Sequence, residues 1–300
     1  MTSIEISAPA KVNLFLRVLG KRKDGYHDIL TVFERITLED RIKISKSPSG
    51  IKLLCSKPIT KDPRDNLAYK AAQAILAHKK SCVGVKIEIS KHIPIAAGLG
   101  GGSSDAAAVL TGINKLCGMK LSKKELMRLG ARLGADVPFF IFDAAFAAGK
   151  GIGNELSIIR SNTRFWHLLV YPGFEVSTKE VYRDFKRPVV RQAHHPLNHP
   201  ELSPRGLTIE SGNVKIRPLG FLFHNDLQAM VVRKRPVMGE ILKRLANLSG
   251  AEAIVSGSGP SVFCLYETRR EAMSARRRLF KEVPATRRKR WQVFVTATRF

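Results

Sequence analysis

The chain has 300 residues, which at roughly 100–200 residues per domain predicts two domains. Hydrophobic residues make up 44% and charged residues 25% of the chain, values that are typical of folded proteins and exclude wholesale disorder. Its net charge of +26 is unusual and indicates anionic partners. No run approaches the ~20 apolar residues of a membrane-spanning helix, and Met1–Ser7 has no signal or transit pattern. We therefore expect a cytoplasmic protein without a membrane partner.

Hydrophobic periodicity predicts strands and helices that alternate through the first half of the chain. Strands are predicted at 41–46 and 84–90, and a helix over 67–78 lies between them, capped by Asp65-Asn66. A further helix follows a Gly-rich stretch and stops at Gly118. Ser122-Lys-Lys-Glu125 is a capping box that opens the next helix, which Gly134 closes.

The helical pattern breaks near 149–153, and we place a domain boundary at about 155. This gives an N-terminal domain over 1–155 and a C-terminal domain over 156–300. The C-terminal half is predicted to contain a strand at 166–171, a strand-turn-strand at 251–266, a charged helix and a strand at 292–297. Since no regular βαβ repetition connects these elements, the fold class is predicted to be α+β.

Neither the cysteines nor the clustered histidines form a recognisable metal-binding pattern. The four cysteines, Cys55, Cys82, Cys117 and Cys264, lie far apart, which in a chain of this size predicts buried thiols in a reducing compartment. Three of the histidines lie within 186–220, a stretch that several prolines break up, with no nearby cysteine or ordered carboxylates. We expect a mobile surface insertion there.

The most specific motif is Pro94–Asp105, a Gly-rich segment in front of the helix that stops at Gly118. Four glycines in five positions allow main-chain N–H groups to approach a ligand closely. Ser103 or Ser104 is the predicted N-cap, so that the positive end of the helix dipole faces the loop. These features predict a phosphate-binding loop. The segment contains neither the Gly-Lys-Ser/Thr of a Walker A loop nor the Rossmann spacing Gly-x-Gly-x-x-Gly.

Two segments near the N-terminus display polar side chains. Lys11 and Asn13 alternate with apolar residues and therefore point off the same face of a strand. A lone lysine in a strand is usually solvated, so this feature is weak by itself. Asp24-Gly25 is a turn pair that displays Tyr26 and His27 at the edge of a loop.

Two later segments also contain candidate functional residues. Asp136 stands between the helix stop at Gly134 and an apolar run, a position where an aspartate is often only a helix cap. Ser256–Ser261 is a second Gly-rich turn, between two predicted strands. Neither segment defines a function alone.

Together these segments resemble the three ordered motifs of the GHMP small-molecule kinases. The matching parts are Lys11 with Asn13, the 94–105 loop and Ser256–Ser261, and the resemblance extends over 5–185 and 222–266. Two features depart from the family pattern. The common Thr-Gly-x-Gly-Ala form of the third motif is here Ser-Gly-Ser-Gly-Pro, and the high charge is unusual for a metabolic kinase.

The resemblance implies a fold, an activity and a set of site residues. The fold is a two-domain GHMP kinase, with a ribosomal-S5-like N-terminal domain and a ferredoxin-like C-terminal domain. ATP is the phosphoryl donor, with Mg²⁺, and a small-molecule alcohol is the acceptor. Asp136 takes the proton of the acceptor hydroxyl, and Lys11 orients and stabilises it. The residues implied to bind the ATP phosphates are Pro94, Ile95, Ala96, Ala97, Gly98, Leu99, Gly100, Gly101, Gly102, Ser103 and Ser104.

The resemblance also implies where the acceptor binds. Tyr26 and His27 line a cytidine pocket, Tyr182 is a second stacking aromatic, and Asn13 contacts the substrate. An acceptor of the homoserine or mevalonate type is the alternative within the family. A different class, a basic nucleic-acid-binding protein, is supported by the Arg runs at 276–278 and 287–290. No RNP-type motif, zinc knuckle or helix-turn-helix accompanies that charge, so no specific nucleic acid is expected.

Overall fold

A computed structural model describes residues 2–78, 84–185, 207–210, 213–216, 223–250 and 252–300. The chain divides into two compact units. Unit 1 consists of 1–12 and 35–144, and unit 2 consists of 13–34 and 145–300. Neither unit is one continuous segment, because the long strands β1 (Ser3–Lys21) and β2 (His27–Ser47) contribute residues to both.

The sheet of unit 1 contains the first part of β1, the second part of β2, β3 (Gly50–Cys55) and β4 (Gly84–Ser90). Strand β2 runs antiparallel to β4, and β3 runs parallel to β4. Ile42 and Ile44 of β2 lie opposite Ile89 and Ile87 of β4, and these side chains are buried. Because successive side chains of a strand point to opposite faces, this alternation gives the sheet one apolar face.

Four α-helices complete unit 1 among its described residues. They are α1 (Leu67–His78), α2 (Gly101–Leu116), α3 (Lys123–Leu133) and α4 (Val137–Phe142). The predicted capping box is confirmed, since the Ser122 hydroxyl accepts from the Glu125 N–H and the Glu125 carboxylate accepts from the Ser122 N–H. A Cβ on Gly112 of α2 would lie 2.6 Å from Ile6 and Ile44. The helix therefore lies so close to the sheet that a Cβ at this position would have to displace the terminal methyl groups of both isoleucines.

Unit 2 contains the rest of β1 and β2 together with two further groups of strands. Strand β5 (Phe146–Lys150) pairs antiparallel with both β2 and β6 (Glu155–Ile158). A separate antiparallel sheet has the order β11 (Ile254–Val255), β12 (Val262–Tyr266), β7 (Trp166–Tyr171) and β13 (Gln292–Ala297). The strands predicted at 166–171 and 292–297 are thus confirmed.

The remaining elements of unit 2 are mostly helical. The helices are α5 (Thr178–Asp184), α6 (Gln228–Lys234), α7 (Val237–Ser249), α8 (Arg269–Glu282) and α9 (Ala285–Arg288). β10 (His224–Asn225) pairs parallel with β1, and β8 (Leu207–Glu210) pairs with β9 (Asn213–Ile216). Leu168 and Val170 of β7 form a core with Ile241, Leu245 and Leu279 of the helices. Strands β8 and β9 lie within the predicted insertion at 186–220. The rest of that stretch lies outside the described residues.

The Arg-rich helix of the C-terminal half follows the amphipathic pattern. Helix α8 buries Ala272, Ala275 and Leu279, whereas Arg269, Arg270, Arg277 and Arg278 are exposed. The charge on this helix therefore forms a solvated face. Across the part of the chain that the structure describes, no helix combines the length and apolar character needed to cross a membrane.

The cysteines differ from expectation. Cys117 forms a disulfide bond, so the prediction of a free thiol is wrong for this residue. Cys55 is half-buried and Cys264 is buried, and both are free. The prediction rested on redox compartment and on separation along the sequence, and neither reports which residues the fold brings together. Cys82 lies outside the described residues.

Candidate active site

The Gly-rich loop leads into α2 through a left-handed residue. Gly100 has φ 70° and ψ 15° and is the N-cap, so the prediction that Ser103 or Ser104 caps the helix is wrong. Glycine adopts this conformation without the steric cost that a Cβ imposes, and the helix therefore begins before the serines. Gly100 provides no side-chain hydrogen bond to the helix. Consequently, the N–H groups of the first turn face the loop without a side-chain cap, as an anion-binding helix end requires.

The middle of the loop is attached to β1. The Lys11 N–H donates to the Leu99 carbonyl at 2.9 Å, and the Leu99 side chain is buried. A Cβ on Gly100 would lie 3.1 Å from Cγ of Lys11 and 3.0 Å from the Phe140 ring. The loop thus packs directly on the strand that carries Lys11 and on α4.

Lys11 and Asp136 form an ion pair within unit 1. The distance from Lys11 Nζ to Asp136 Oδ2 is 3.4 Å, with side-chain exposures of 6% and 32%. The lysine is therefore buried rather than solvated. Asp136 precedes α4 but its side chain makes no capping hydrogen bond, so its carboxylate is not used by the helix. The pair places a partly exposed carboxylate and an ammonium group beside the Gly-rich loop.

The local sequence explains the position of Asp136. Helix α3 ends at Gly134, and Pro138 stands in the first turn of α4, where its missing N–H costs nothing. The apolar residues 137–141 of α4 are buried, which anchors the helix and leaves Asp136 at its exposed start. A Cβ on Gly134 would lie 3.8 Å from the Ser103 hydroxyl, so Ser103 lies close to this turn.

Asn13 is buried within unit 2. Its side-chain amide donates to Thr31 Oγ1 at 2.8 Å, and the Thr31 hydroxyl donates to the Phe15 carbonyl at 2.7 Å. Its backbone N–H donates to Ser256 Oγ at 3.4 Å. The first and third motifs of the resemblance are therefore in direct contact.

His27 and Tyr182 lie together in unit 2. Their ring centroids are 5.3 Å apart with an interplanar angle of 34°. Burial, assisted by the positive charge of Lys21, lowers the pKa of His27, which favours a neutral ring. Tyr26 is 59% exposed, and its N–H donates to Asp24 Oδ1 at 3.1 Å. The predicted display of this aromatic at a turn is thus confirmed.

Sequence reasoning missed a residue that supports the third motif. The Asn225 side-chain amide donates to the carbonyls of Val255 and Gly257 at 2.7 Å each. Within the turn, the Ser256 N–H donates to the Ser261 carbonyl at 2.9 Å. The available signal was a polar Asn-Asp pair directly in front of an apolar helical stretch.

The oxygen donors around the loop fit a magnesium ion that arrives with ATP. Among the described residues, no group of three or more His, Cys, Asp or Glu side chains could hold a metal by itself. Mg²⁺ usually keeps several waters and binds through one or two carboxylates plus substrate phosphates. The Ser103 hydroxyl, in the first turn of α2, is an oxygen donor beside the loop that would complete the coordination of a metal held mainly by ATP phosphates and water.

Comparison with known proteins agrees with this geometry. A family model described as "GHMP kinases N terminal domain" matches residues 66–144, and "GHMP kinases C terminal" matches residues 213–285. The 4-diphosphocytidyl-2-C-methyl-D-erythritol kinase of Syntrophus aciditrophicus is 39% identical over 97% of this chain and 98% of the relative. The enzyme of the same name from Geobacter metallireducens is 41% identical over 92% and 93%.

A solved structure gives the same result. The crystal structure of a 4-(cytidine 5'-diphospho)-2C-methyl-D-erythritol kinase matches with a TM-score of 0.78 and 31% identity, over 99% of this chain and 100% of the other. The chain belongs to the GHMP kinases, and within them to the family of 4-diphosphocytidyl-2-C-methyl-D-erythritol kinases. It is therefore an enzyme, a phosphotransferase that uses ATP, and the predicted fold and class are confirmed.

Proposed function

We propose that the chain transfers the γ-phosphoryl group of ATP to the 2-hydroxyl of 4-diphosphocytidyl-2-C-methyl-D-erythritol, a step in the non-mevalonate synthesis of isoprenoid precursors. The observation that carries this proposal is the Lys11–Asp136 pair, 3.4 Å apart, beside the uncapped start of α2. The names of relatives that match nearly the whole chain support the choice of acceptor.

Each part of the site has one role in the transfer. The N–H groups at the start of α2 and the loop 94–104 hold the ATP phosphates. Asp136 accepts the proton of the acceptor hydroxyl as its oxygen attacks the γ-phosphorus and ADP leaves, which a tertiary alcohol requires because it is a poor nucleophile. Lys11 orients the carboxylate and stabilises the charge that develops in the transition state. Mg²⁺ supplies further neutralisation of the phosphates when it is bound with ATP.

The acceptor would be held by residues of unit 2. The adjacent rings of His27 and Tyr182 offer flat faces on which a cytosine base can stack. Tyr26, exposed at its turn, is the third aromatic proposed to contact the acceptor. Asn13 is the side-chain amide proposed to contact the acceptor. The cytoplasmic location stays a prediction.

A test of acceptor selectivity distinguishes this proposal from other GHMP kinases. We expect ATP turnover with 4-diphosphocytidyl-2-C-methyl-D-erythritol and no measurable turnover with mevalonate or homoserine. The reason is that a site with buried polar groups built for one substrate rejects an analogue that leaves them unpaired. ADP release, followed with each alcohol at the same concentration, is the measurement. Turnover with mevalonate or homoserine but not with the cytidylyl alcohol would move the chain to the alternative acceptor.

A further inference from the structure

Three ionisable side chains are buried together beneath the Gly-rich loop. The ammonium group of Lys91 contacts the carboxylates of Asp40 and Asp105, with a distance of 2.8 Å to Asp105 Oδ2. The side-chain exposures are 2% for Lys91 and 0% for both aspartates. We call these three residues the Asp40–Lys91–Asp105 cluster. Groups of this kind are almost never fully buried unless they are paired, and neither the general base nor the ion pair of the proposed transfer includes them.

The cluster joins the beginning of the loop to its end. At the beginning, Asp40 Oδ1 accepts from the N–H groups of His92 and Ile93 at 2.6 and 2.9 Å, directly before Pro94. At the end, Asp105 lies in the second turn of α2, behind the serines. A single ammonium group therefore connects β2, the residue after β4 and the start of α2.

The ammonium group also lies against the loop backbone. A Cβ on Gly101 would lie 3.4 Å from Lys91 Nζ and 3.0 Å from Ile93 Cγ2. A substitution at Gly101 would therefore meet the cluster and Ile93. Because Lys91 is enclosed by two carboxylates and nearly inaccessible, it is not a direct ligand of a nucleotide.

Burial and mutual attraction act on the charges of the cluster in opposite directions. Burial raises the pKa of Asp105 to about 7, since the attraction of Lys91 only partly offsets this effect and the negative charge of Asp40 adds to it. Burial opposes the charge of Lys91, but the Asp105 and Asp40 carboxylates outweigh it and raise its pKa. Lys91 therefore keeps its charge at neutral pH, and its ion pairs continue to join the two ends of the loop.

We propose that the Asp40–Lys91–Asp105 cluster is a positioning device that holds the two ends of the loop in register, so that nucleotide affinity depends on a lysine that does not touch the nucleotide. This inference rests on the proposed role of the loop in binding ATP. A misplacement of about 1 Å can lower a reaction rate by about 100-fold, and we expect a displaced phosphate loop to lose affinity for the nucleotide on a similar scale. Loss of the Lys91 ion pairs should therefore weaken nucleotide binding more than acceptor binding.

The test measures the Kd of a non-hydrolysable ATP analogue and the KM of the acceptor in three variants. Lys91→Met should weaken analogue binding by about 10- to 100-fold and change the acceptor KM by less than about twofold. Lys91→Met leaves two buried carboxylates without a cation, which lowers the stability of the fold. The triple variant Asp40→Asn/Lys91→Met/Asp105→Asn therefore removes all three charges together. It should fold and still bind the analogue about 10-fold or more weakly. Asp105→Asn alone keeps the Lys91–Asp40 pair but replaces the carboxylate that joins Lys91 to α2 with a neutral amide, and should weaken analogue binding by an amount between wild type and Lys91→Met.

A core variant controls for loss of stability. Ile75→Val in α1 removes one buried methylene and should lower the thermal unfolding midpoint while analogue binding stays at the wild-type value. Wild-type affinity in a folded Lys91→Met or triple variant would overturn the proposal, and so would equal losses for analogue and acceptor. If the wild-type protein bound no analogue, the proposed function of the loop would fail together with this inference. Weakened binding in Gly100→Ala with normal binding in the Lys91 variants would overturn the inference alone.

Discussion

Replacement of Asp136 by asparagine should lower kcat by about 10²- to 10⁴-fold while ATP binding stays within about twofold, because the change removes a general base and keeps the size of the side chain. The geometry supports this expectation. The carboxylate is partly exposed, lies 3.4 Å from Lys11 Nζ and makes no capping hydrogen bond to α4. Its loss therefore leaves the helix intact. Single-turnover rates at saturating ATP measure the chemical step directly.

The matched control is Asp65→Asn. Asp65 belongs to the same unit, its side chain is 70% exposed and it pairs with Lys70 on the surface, so the same chemical change should leave the rate at the wild-type value. If Asp136→Asn turned over at the wild-type rate, Asp136 would have no part in proton transfer.

Replacement of Gly100 by alanine should lower kcat/KM for ATP by about 10- to 100-fold. The new Cβ would stand 3.1 Å from Lys11 Cγ and 3.0 Å from the Phe140 ring, at a residue with φ +70° where a left-handed backbone costs roughly 1–2 kcal/mol. The substitution therefore displaces both the Lys11 side chain and the loop. Steady-state kinetics with ATP varied, together with the thermal unfolding midpoint, measure both effects.

Gly118→Ala separates these effects. Gly118 has φ +59° and nothing within 4 Å of its would-be Cβ, so it carries the backbone strain without the contact. We expect Gly118→Ala to lower the unfolding midpoint and to leave kcat/KM for ATP unchanged. Equal kinetic losses in both variants would mean that general destabilisation, and not displacement of Lys11, explains the effect at Gly100.

Local signals predicted the elements and motifs that depend on neighbouring residues. The strand at 84–90, the helix at 67–78 and the Ser122–Glu125 capping box all have the bounds or contacts that the sequence indicated. Periodicity and capping act within a few residues, and therefore a single sequence reveals them. The Gly-rich loop and the helix that follows it were visible for the same reason.

Features that depend on distant contacts were not predictable from local signals. The Lys91–Asp40 pair joins residues 51 positions apart, and nothing near either residue indicates the other. The serines of the loop looked like helix caps, but the left-handed Gly100 starts the helix before them. A Cβ on Gly101 would meet Ile93 and Lys91, and the spacing of the glycines does not indicate these contacts.

The most direct test of the proposed function is the position of the phosphate in the product. The purified protein is incubated with ATP, Mg²⁺ and 4-diphosphocytidyl-2-C-methyl-D-erythritol, and the product is examined by phosphorus and carbon NMR. We expect one new phosphomonoester, coupled to the tertiary carbon that carries the methyl group, in amounts equal to the ADP formed. A phosphomonoester on any other hydroxyl, or ADP release without a new phosphomonoester, would contradict the function proposed for this chain.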